Sequence, residues 1–209
     1  NGFNVTLPFK KAIIPFLDEL TPLAKKTYSV NTVYKKKDKI IGDNTDSDGF
    51  KKALSDTNFK VEGKSALVLG AGGVVPSIIF ALKKLNVRKI FISNRTKKYA
   101  DDIKKLNFDV EVIDWGELRD ADIIINATSL GLKANDAMDI DFANLGKNKL
   151  FYDLIYNPSK TNFLKKGEEL GNQIENGKKM FAYQAQLSFV IWNDVEPKVD
   201  EKVINILND

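Results

Sequence analysis

Cysteine and histidine are both missing from the 209 residues of this chain. Without cysteine there is no disulfide, no thiolate nucleophile and no thiolate metal site, and a reducing compartment, the cytoplasm, is the expected setting. Without histidine there is no Ser-His-Asp triad, no His-carboxylate pair and no imidazole ligand. No metal centre is therefore expected, and any proton transfer has to run on Lys, Asp, Glu or Tyr. No apolar run reaches the ~20 residues that span a bilayer, so a membrane partner is not expected. No signal peptide opens the chain, which starts at Asn1 inside what reads as a strand; the natural amino terminus is expected upstream. An excess of one charge is also lacking. The 32 Lys and Arg face 28 Asp and Glu, a net +4. The basic residues fall in short runs such as Lys35-Lys36-Lys37 and Lys97-Lys98 without aromatic interleaving, which argues against a nucleic-acid partner.

What is present is ordinary globular material, 43% hydrophobic and 29% charged, in a length that suits one large domain or two small ones. Phe3 to Thr6 reads as a strand, Pro8 as a first helical turn, and Ile13, Ile14, Phe16 and Leu17 as the apolar face of a helix. Val30 to Tyr34 and Lys39 to Ile41 read as a hairpin ending in Gly42-Asp43-Asn44-Thr45-Asp46, with a short helix from Ser47 to about Leu54. Ser65-Ala66-Leu67-Val68-Leu69 is a nearly uninterrupted apolar strand of the kind buried on both faces of a parallel sheet. Further strands are expected at Lys89–Ser93, Val110–Ile113, Asp122–Asn126 and Leu150–Leu154, with helical patterns between several of them, and mostly helix from Lys160 onward. Strands alternating with helices predict an α/β fold, a Rossmann-type doubly wound parallel sheet over residues 54–180. A smaller α/β unit is expected over residues 1–53, with residues 181–209 as helices that return to it.

The turn Gly70-Ala71-Gly72-Gly73 lies between a buried strand and a helical run to Leu85, where small residues let a backbone approach a pyrophosphate at the helix amino terminus. A dinucleotide fingerprint would place a third glycine at position 75, which is Val75, so the glycines alone fit a cofactor loop or an ordinary tight turn. The next strand ends in Asn94-Arg95-Thr96. An acidic residue there would serve a ribose 2′-hydroxyl, whereas an arginine accommodates a 2′-phosphate, which selects NADP(H). Lys10, in Asn4-Val5-Thr6-Leu7-Pro8-Phe9-Lys10, leaves a strand for a helix, and Asp46 ends the hairpin. Brought together they could exchange a proton with a substrate hydroxyl; taken singly, each also reads as a solvated charge.

The ordered set of motifs decides between these readings. Asn4 to Lys10, Val30-Asn31-Thr32, Gly42 to Asp46, Gly70 to Gly73, Asn94-Arg95-Thr96, Asn126-Ala127-Thr128-Ser129-Leu130-Gly131, Asp153 with Tyr156-Asn157-Pro158, and Asn176-Gly177 through Gln184-Ala185 run in sequence through the whole chain. In these the chain resembles the shikimate dehydrogenases. The resemblance implies NADPH-dependent, reversible reduction of 3-dehydroshikimate to shikimate, a step in making aromatic amino acids. It implies Lys10 as catalytic acid/base and Asp46 as its partner carboxylate. Thr6, Asn31, Tyr156 and Gln184 match positions that hold the substrate. Gly70, Ala71, Gly72, Gly73, Val74, Asn94, Arg95, Thr96, Leu154 and Gly177 match positions that hold the cofactor. It also implies a strand, helix and strand ahead of Asn4, with a Ser-x-Ser segment for the substrate carboxylate. The sequence lacks these, so its substrate domain is expected to be incomplete. A monomer or homodimer is expected. The rival readings are a quinate/shikimate dehydrogenase of broader specificity and a catalytically silent NADP-binding paralogue.

Overall fold

The computed structural model describes residues 2–133, 136 and 138–207; Asn1, where the sequence opens in an expected strand, lies outside them. Four short strands form the first sheet: β1 (Gly2–Asn4), β2 (Glu19–Leu20), β3 (Thr32–Lys36) and β4 (Lys39–Asp43), in the order β1-β3-β4-β2. β3 and β4 are the antiparallel hairpin read from the sequence, closed at Lys37 with φ at +55°. β1 runs antiparallel to β3 and sets Asn4 opposite Thr32.

The helix expected after Pro8 is not there. Residues 7–13 form successive turns, and only Ile14–Phe16 closes a 3₁₀ turn. The cause is Pro15, which has no N–H to donate and whose ring would strike the carbonyl four residues back in an α-helix. Ile13, Ile14 and Leu17 still reach the small core of Val5, Ala24, Val30 and Val33, while Phe16 stays exposed. The short helix α1 (Pro22–Thr27), absent from the sequence reading, starts on Thr21, whose Oγ1 accepts from Ala24 N at 3.3 Å. α2 (Asp46–Ser55) follows β4 directly.

The second sheet contains β5 (Ser65–Leu69), β6 (Lys89–Ser93), β7 (Glu111–Ile113), β8 (Ile123–Asn126), β9 (Leu150–Asp153) and β10 (Gln173–Glu175). All six are parallel, in the order β10-β9-β8-β5-β6-β7. Every residue of β5 is buried, because successive side chains serve opposite faces. Ala66 and Val68 join Phe50, Ile78, Ile79 and Leu82 on one face; Leu67 and Leu69 join Phe91, Ile124, Phe151 and Phe163 on the other. The helices are α3 (Val75–Lys84), α4 (Lys97–Lys104) and α5 (Asn162–Glu169), then α6 (Lys178–Asn193) and α7 (Glu201–Ile206). β10 was missed because three residues, Gln-Ile-Glu, carry no period. The expected strand Leu150–Leu154 ends at Asp153.

α6 crosses back to the first sheet. It packs along α2, and Trp192 Nε1 donates to Val33 O at 3.1 Å. The approach is close because Gly49 of α2 has no side chain: a Cβ there would come within 2.8 Å of Gln184 N. No helix of the described residues is long and apolar enough to cross a membrane.

Candidate functional site

β5 occupies the point where the strand order reverses, with β8 on one side and β6 on the other, and a crevice forms outside the carboxyl ends of strands at such a point. Here it is a cleft of about 1000 Å³ whose opposite wall comes from the first sheet. On that wall the backbone holds residues far apart in sequence together. Val30 N donates to Lys10 O at 2.9 Å, and Asn31 N to Asp43 O at 3.1 Å. Lys10 Nζ thereby meets Asp46 Oδ2 at 2.6 Å. Lys10 retains 9% exposure and Asp46 only 3%. Asp46 is the first residue of α2, where the helix dipole favours a carboxylate.

Asn31 links this pair to α6. Its Nδ2 donates to Asp46 Oδ1 (3.1 Å), Thr45 Oγ1 (2.8 Å) and Gln184 Oε1 (3.1 Å). Its Oδ1 accepts from Thr45 N (2.8 Å) and Thr32 Oγ1 (3.1 Å). A backbone N–H can only donate, so the amide cannot be flipped. Gln184 is held at both ends, since its Nε2 donates to Phe181 O at 2.8 Å. Phe181 stacks on Tyr156, ring centroids 4.6 Å apart. Thr6 lies exposed on the same rim.

The other wall begins at the glycine turn. Gly70 has φ at +110°, and a Cβ would lie 2.8 Å from Ala127 O, so only glycine fits. Gly72 faces open space. Among the described residues no side chain caps the amino terminus of α3; Val75 N and Ser77 N donate to Gly72 O and Val74 O, each at 3.0 Å, and Pro76 has no N–H, so what this end offers an anion is the helix dipole and the glycine-turn backbone ahead of it. Val75, at the third-glycine position, is fully buried in the core. Beyond the turn, Ala71, Gly72, Asn94, Arg95, Thr96 and Tyr99 shape a side recess of about 390 Å³. No carboxylate among the described residues pairs with Arg95, whereas neighbouring Lys97 is turned away to Asp114 at 2.6 Å. An unpaired guanidinium in a recess fits a phosphate monoester. Leu154 and Gly177 close the far end; a Cβ on Gly177 would fall 2.1 Å from Leu154 O.

Of the residues singled out from the sequence, the cleft brings together Thr6, Lys10, Asn31, Asp46, Gly70, Ala71, Gly72, Val74, Asn94, Arg95, Leu154, Tyr156, Gly177 and Gln184. Thr96 lines the recess only. Gly73 lines neither. It faces the first sheet, where a Cβ on it would lie 3.9 Å from Leu7 Cδ2 and from Lys10 Cβ, and its carbonyl accepts from Ser29 Oγ at 2.9 Å. Ser29 was missed, as was Asn44, whose Nδ2 donates to Ser29 O and Ser77 Oγ, both at 2.9 Å. These buried groups tie the glycine turn and α3 to the segment, Ser29 to Asn31, that leads into β3. The stacking role of Phe181 was missed as well.

The fold and the two-walled cleft define a class: an α/β oxidoreductase that depends on a nicotinamide dinucleotide. Comparison with known proteins narrows it. A family model described as the shikimate dehydrogenase substrate binding domain matches residues 1–33, and one described as shikimate / quinate 5-dehydrogenase matches residues 51–154. A shikimate dehydrogenase (NADP⁺) of Pelagibacter ubique is 54% identical over 208 residues, covering all of this chain and 78% of that protein. The crystal structure of shikimate dehydrogenase from Aquifex aeolicus superposes with a TM-score of 0.88 at 39% identity, covering 99% of this chain and 76% of that one. That of Thermus thermophilus shikimate 5-dehydrogenase, in complex with NADP(H) and shikimate, gives 0.88 at 32% identity, over 99% and 77%. The chain belongs to the shikimate dehydrogenase family of NADP-dependent oxidoreductases.

Proposed function

We propose that this chain catalyses the reversible, NADPH-dependent reduction of 3-dehydroshikimate to shikimate. The observation that carries the reading is the Lys10–Asp46 pair, 2.6 Å apart and largely buried, facing the glycine turn across one cleft. The cofactor wall fits NADP(H) on three counts: the uncapped amino terminus of α3, the open side of Gly72 and the unpaired Arg95 in its recess. Gly70, Ala71, Gly72 and Val74 would hold the pyrophosphate, with Gly73 bracing the turn from behind, Asn94, Arg95 and Thr96 the 2′-phosphate, and Leu154 and Gly177 the nicotinamide end. When bound, the cofactor supplies or accepts the hydride at the substrate carbon.

The protein's own part is orientation and proton transfer. Lys10 Nζ hands a proton to the oxygen at C3 as it becomes a hydroxyl, and takes it back in the reverse direction. Asp46 keeps that ammonium aimed at the cleft. Thr6, Asn31, Gln184 and Tyr156 would hold the remaining hydroxyls and ring, and fixed amides of this kind reject substrates that leave them unpaired.

The division of labour follows the sheets, with residues 1–53 and 181–209 serving the substrate and 54–180 the cofactor. The partners are small molecules rather than nucleic acid or membrane, and the enzyme works in the cytoplasm as a monomer or homodimer. Steady-state rates with shikimate and quinate, each with NADP⁺ and NAD⁺, test the reading. Turnover should be fastest with shikimate and NADP⁺; comparable quinate turnover would move the assignment to a quinate/shikimate dehydrogenase. Cofactor binding without turnover of either would make this a silent paralogue.

A further inference from the structure

Beneath the floor of the cleft, at the carboxyl end of β9, sits a carboxylate that the chemistry above does not use. Asp153 is fully buried. Its Oδ1 accepts from Asn126 Nδ2 and from Ile155 N, each at 3.0 Å, and its Oδ2 accepts from Thr161 Oγ1 at 2.5 Å. The three donors come from three separate segments: the end of β8, the loop after β9 and the start of α5.

Each donor goes on to shape the cleft. Asn126 Nδ2 also donates to Leu130 O at 3.1 Å, and its Oδ1 accepts from Thr128 N at 3.0 Å and Thr128 Oγ1 at 2.7 Å. That closes the turn whose residues Ala127 to Leu130 line the wall and whose Ala127 carbonyl abuts Gly70. Ile155 N fixes the segment that carries Leu154 and Tyr156 into the cleft. Thr161 Oγ1 accepts from Leu164 N at 3.3 Å to begin α5, and its Cγ2 would lie 3.1 Å from a Cβ on Gly131, the residue after the turn.

A buried carboxylate without a cation is costly, so its retention calls for a reason. An ionised aspartate accepts only, and can take all three converging donors at once; an asparagine of the same length would turn its own N–H groups against one of them. All three partners are neutral. Among the described residues, the titratable groups near this end of the sheet include Tyr152 on β9, Glu175 on β10 with Lys179 of α6 3.8 Å from it, and Asp56 just past α2; Glu175 and Asp56 act on the Tyr152 phenol together with Asp153. Burial outweighs the hydrogen bonds and pushes the Asp153 carboxyl up to about 6.

We propose that Asp153 is a positioning residue of the reaction: ionised, it locks the Ala127–Leu130 turn to the Leu154–Tyr156 segment, and when protonated it holds them less tightly. The inference rests on the dehydrogenase reading, because the two segments matter as walls of that site. A proton on Asp153 Oδ2 can be donated only to Thr161 Oγ1, whose own hydrogen must then turn away, and Oδ1 becomes a neutral carbonyl oxygen that accepts more weakly from Asn126 Nδ2 and Ile155 N.

The test is the pH profile of kcat/KM for shikimate oxidation by the wild type, Asp153→Asn, Thr161→Val and Thr161→Ser, with NADPH affinity followed by fluorescence. The wild type should lose activity below a midpoint near 6. Asp153→Asn, fixed neutral, should be about ten-fold slower at pH 8 and should lack that acid limb. Thr161→Val removes a donor that favours the ionised form and should move the limb to higher pH, whereas Thr161→Ser keeps the hydroxyl and the wild-type profile. If Asp153→Asn fails to fold, the two Thr161 variants carry the test. An acid limb indifferent to Asp153→Asn and Thr161→Val, with only thermal stability lowered, would overturn the role. An inactive wild type would instead overturn the dehydrogenase reading.

Discussion

Replacing Lys10 by methionine separates what the ion pair does for the fold from what it does for the reaction. The ammonium and carboxylate are 2.6 Å apart, with side chains 11% and 4% exposed. Removing one partner of a buried pair costs about 3–5 kcal/mol, chiefly because the other charge is left uncompensated. The pair borders an open cleft, so the lower end applies. A loss of ~3 kcal/mol lowers a urea midpoint by about 1.5 M for a slope of ~2 kcal/mol/M. Asp46→Asn in the Lys10→Met background removes the stranded charge and still accepts from Asn31, so more than half of the lost stability should return. Activity should not. Turnover should fall ~10²–10⁴-fold in Lys10→Met, the range for a general acid/base, and stay there in the double variant, with NADPH affinity within about two-fold of wild type. Urea titrations and steady-state rates on the wild type, Lys10→Met, Asp46→Asn and the double variant measure both. A single variant that turns over normally refutes the proton-transfer role, and unchanged midpoints in both singles refute the energetic coupling.

Arg95→Asp should lower kcat/KM for NADPH by ~10² or more, with little loss for NADH, because it removes a charge-assisted contact to phosphate and adds repulsion; an unchanged cofactor ratio would sink the assignment. Ser29→Ala leaves the Gly73 carbonyl without its donor at 2.9 Å. That omission is worth ~1 kcal/mol, so calorimetry should show NADPH binding about five-fold weaker; unaltered affinity would mean that the bond does not hold the glycine turn. A third expectation concerns stability against pH. The folded-state pKa of Asp153 is raised from 3.8 to about 6, so its protonated form favours the fold. That contribution is full below the unfolded value and is lost as pH rises through about 6. A rise of this size is worth ~3 kcal/mol. Relative to Asp153→Asn, the wild type should therefore gain most of that in urea stability as the pH falls from 7.5 to 4; a pH-independent difference would contradict the burial argument.

The architecture was legible where one physical signal dominated. β5 is apolar at nearly every position because both its faces are covered, and the alternation of such strands with helical patterns specified the doubly wound sheet. The signal failed where length or a single residue overrode the pattern. Ile13, Ile14, Phe16 and Leu17 have helical spacing, yet Pro15 forbids the helix, and β2 and β10 are too short to carry a period.

The site divides along a different line. The residues proposed to touch a ligand belong to fixed motifs, so Lys10, Asp46, Arg95 and the glycine turn could be named before any fold was known. Residues that hold those motifs in place are selected by contacts between distant segments, and the same side chains elsewhere would signify nothing. A serine beside an apolar strand gives no hint that its hydroxyl reaches a glycine carbonyl 44 positions away, as Ser29 does. Asp153 stood inside a quoted motif, but its neighbours in sequence are hydrophobic, and nothing in them shows three donors converging from 126, 155 and 161. The unfavourable burial of a carboxylate without a counter-ion becomes visible only in three dimensions. There it separates Asp153 from the paired Asp46, whose carboxylate faces an ammonium, and it is the reason to look for a function in a group that makes no contact with the cleft.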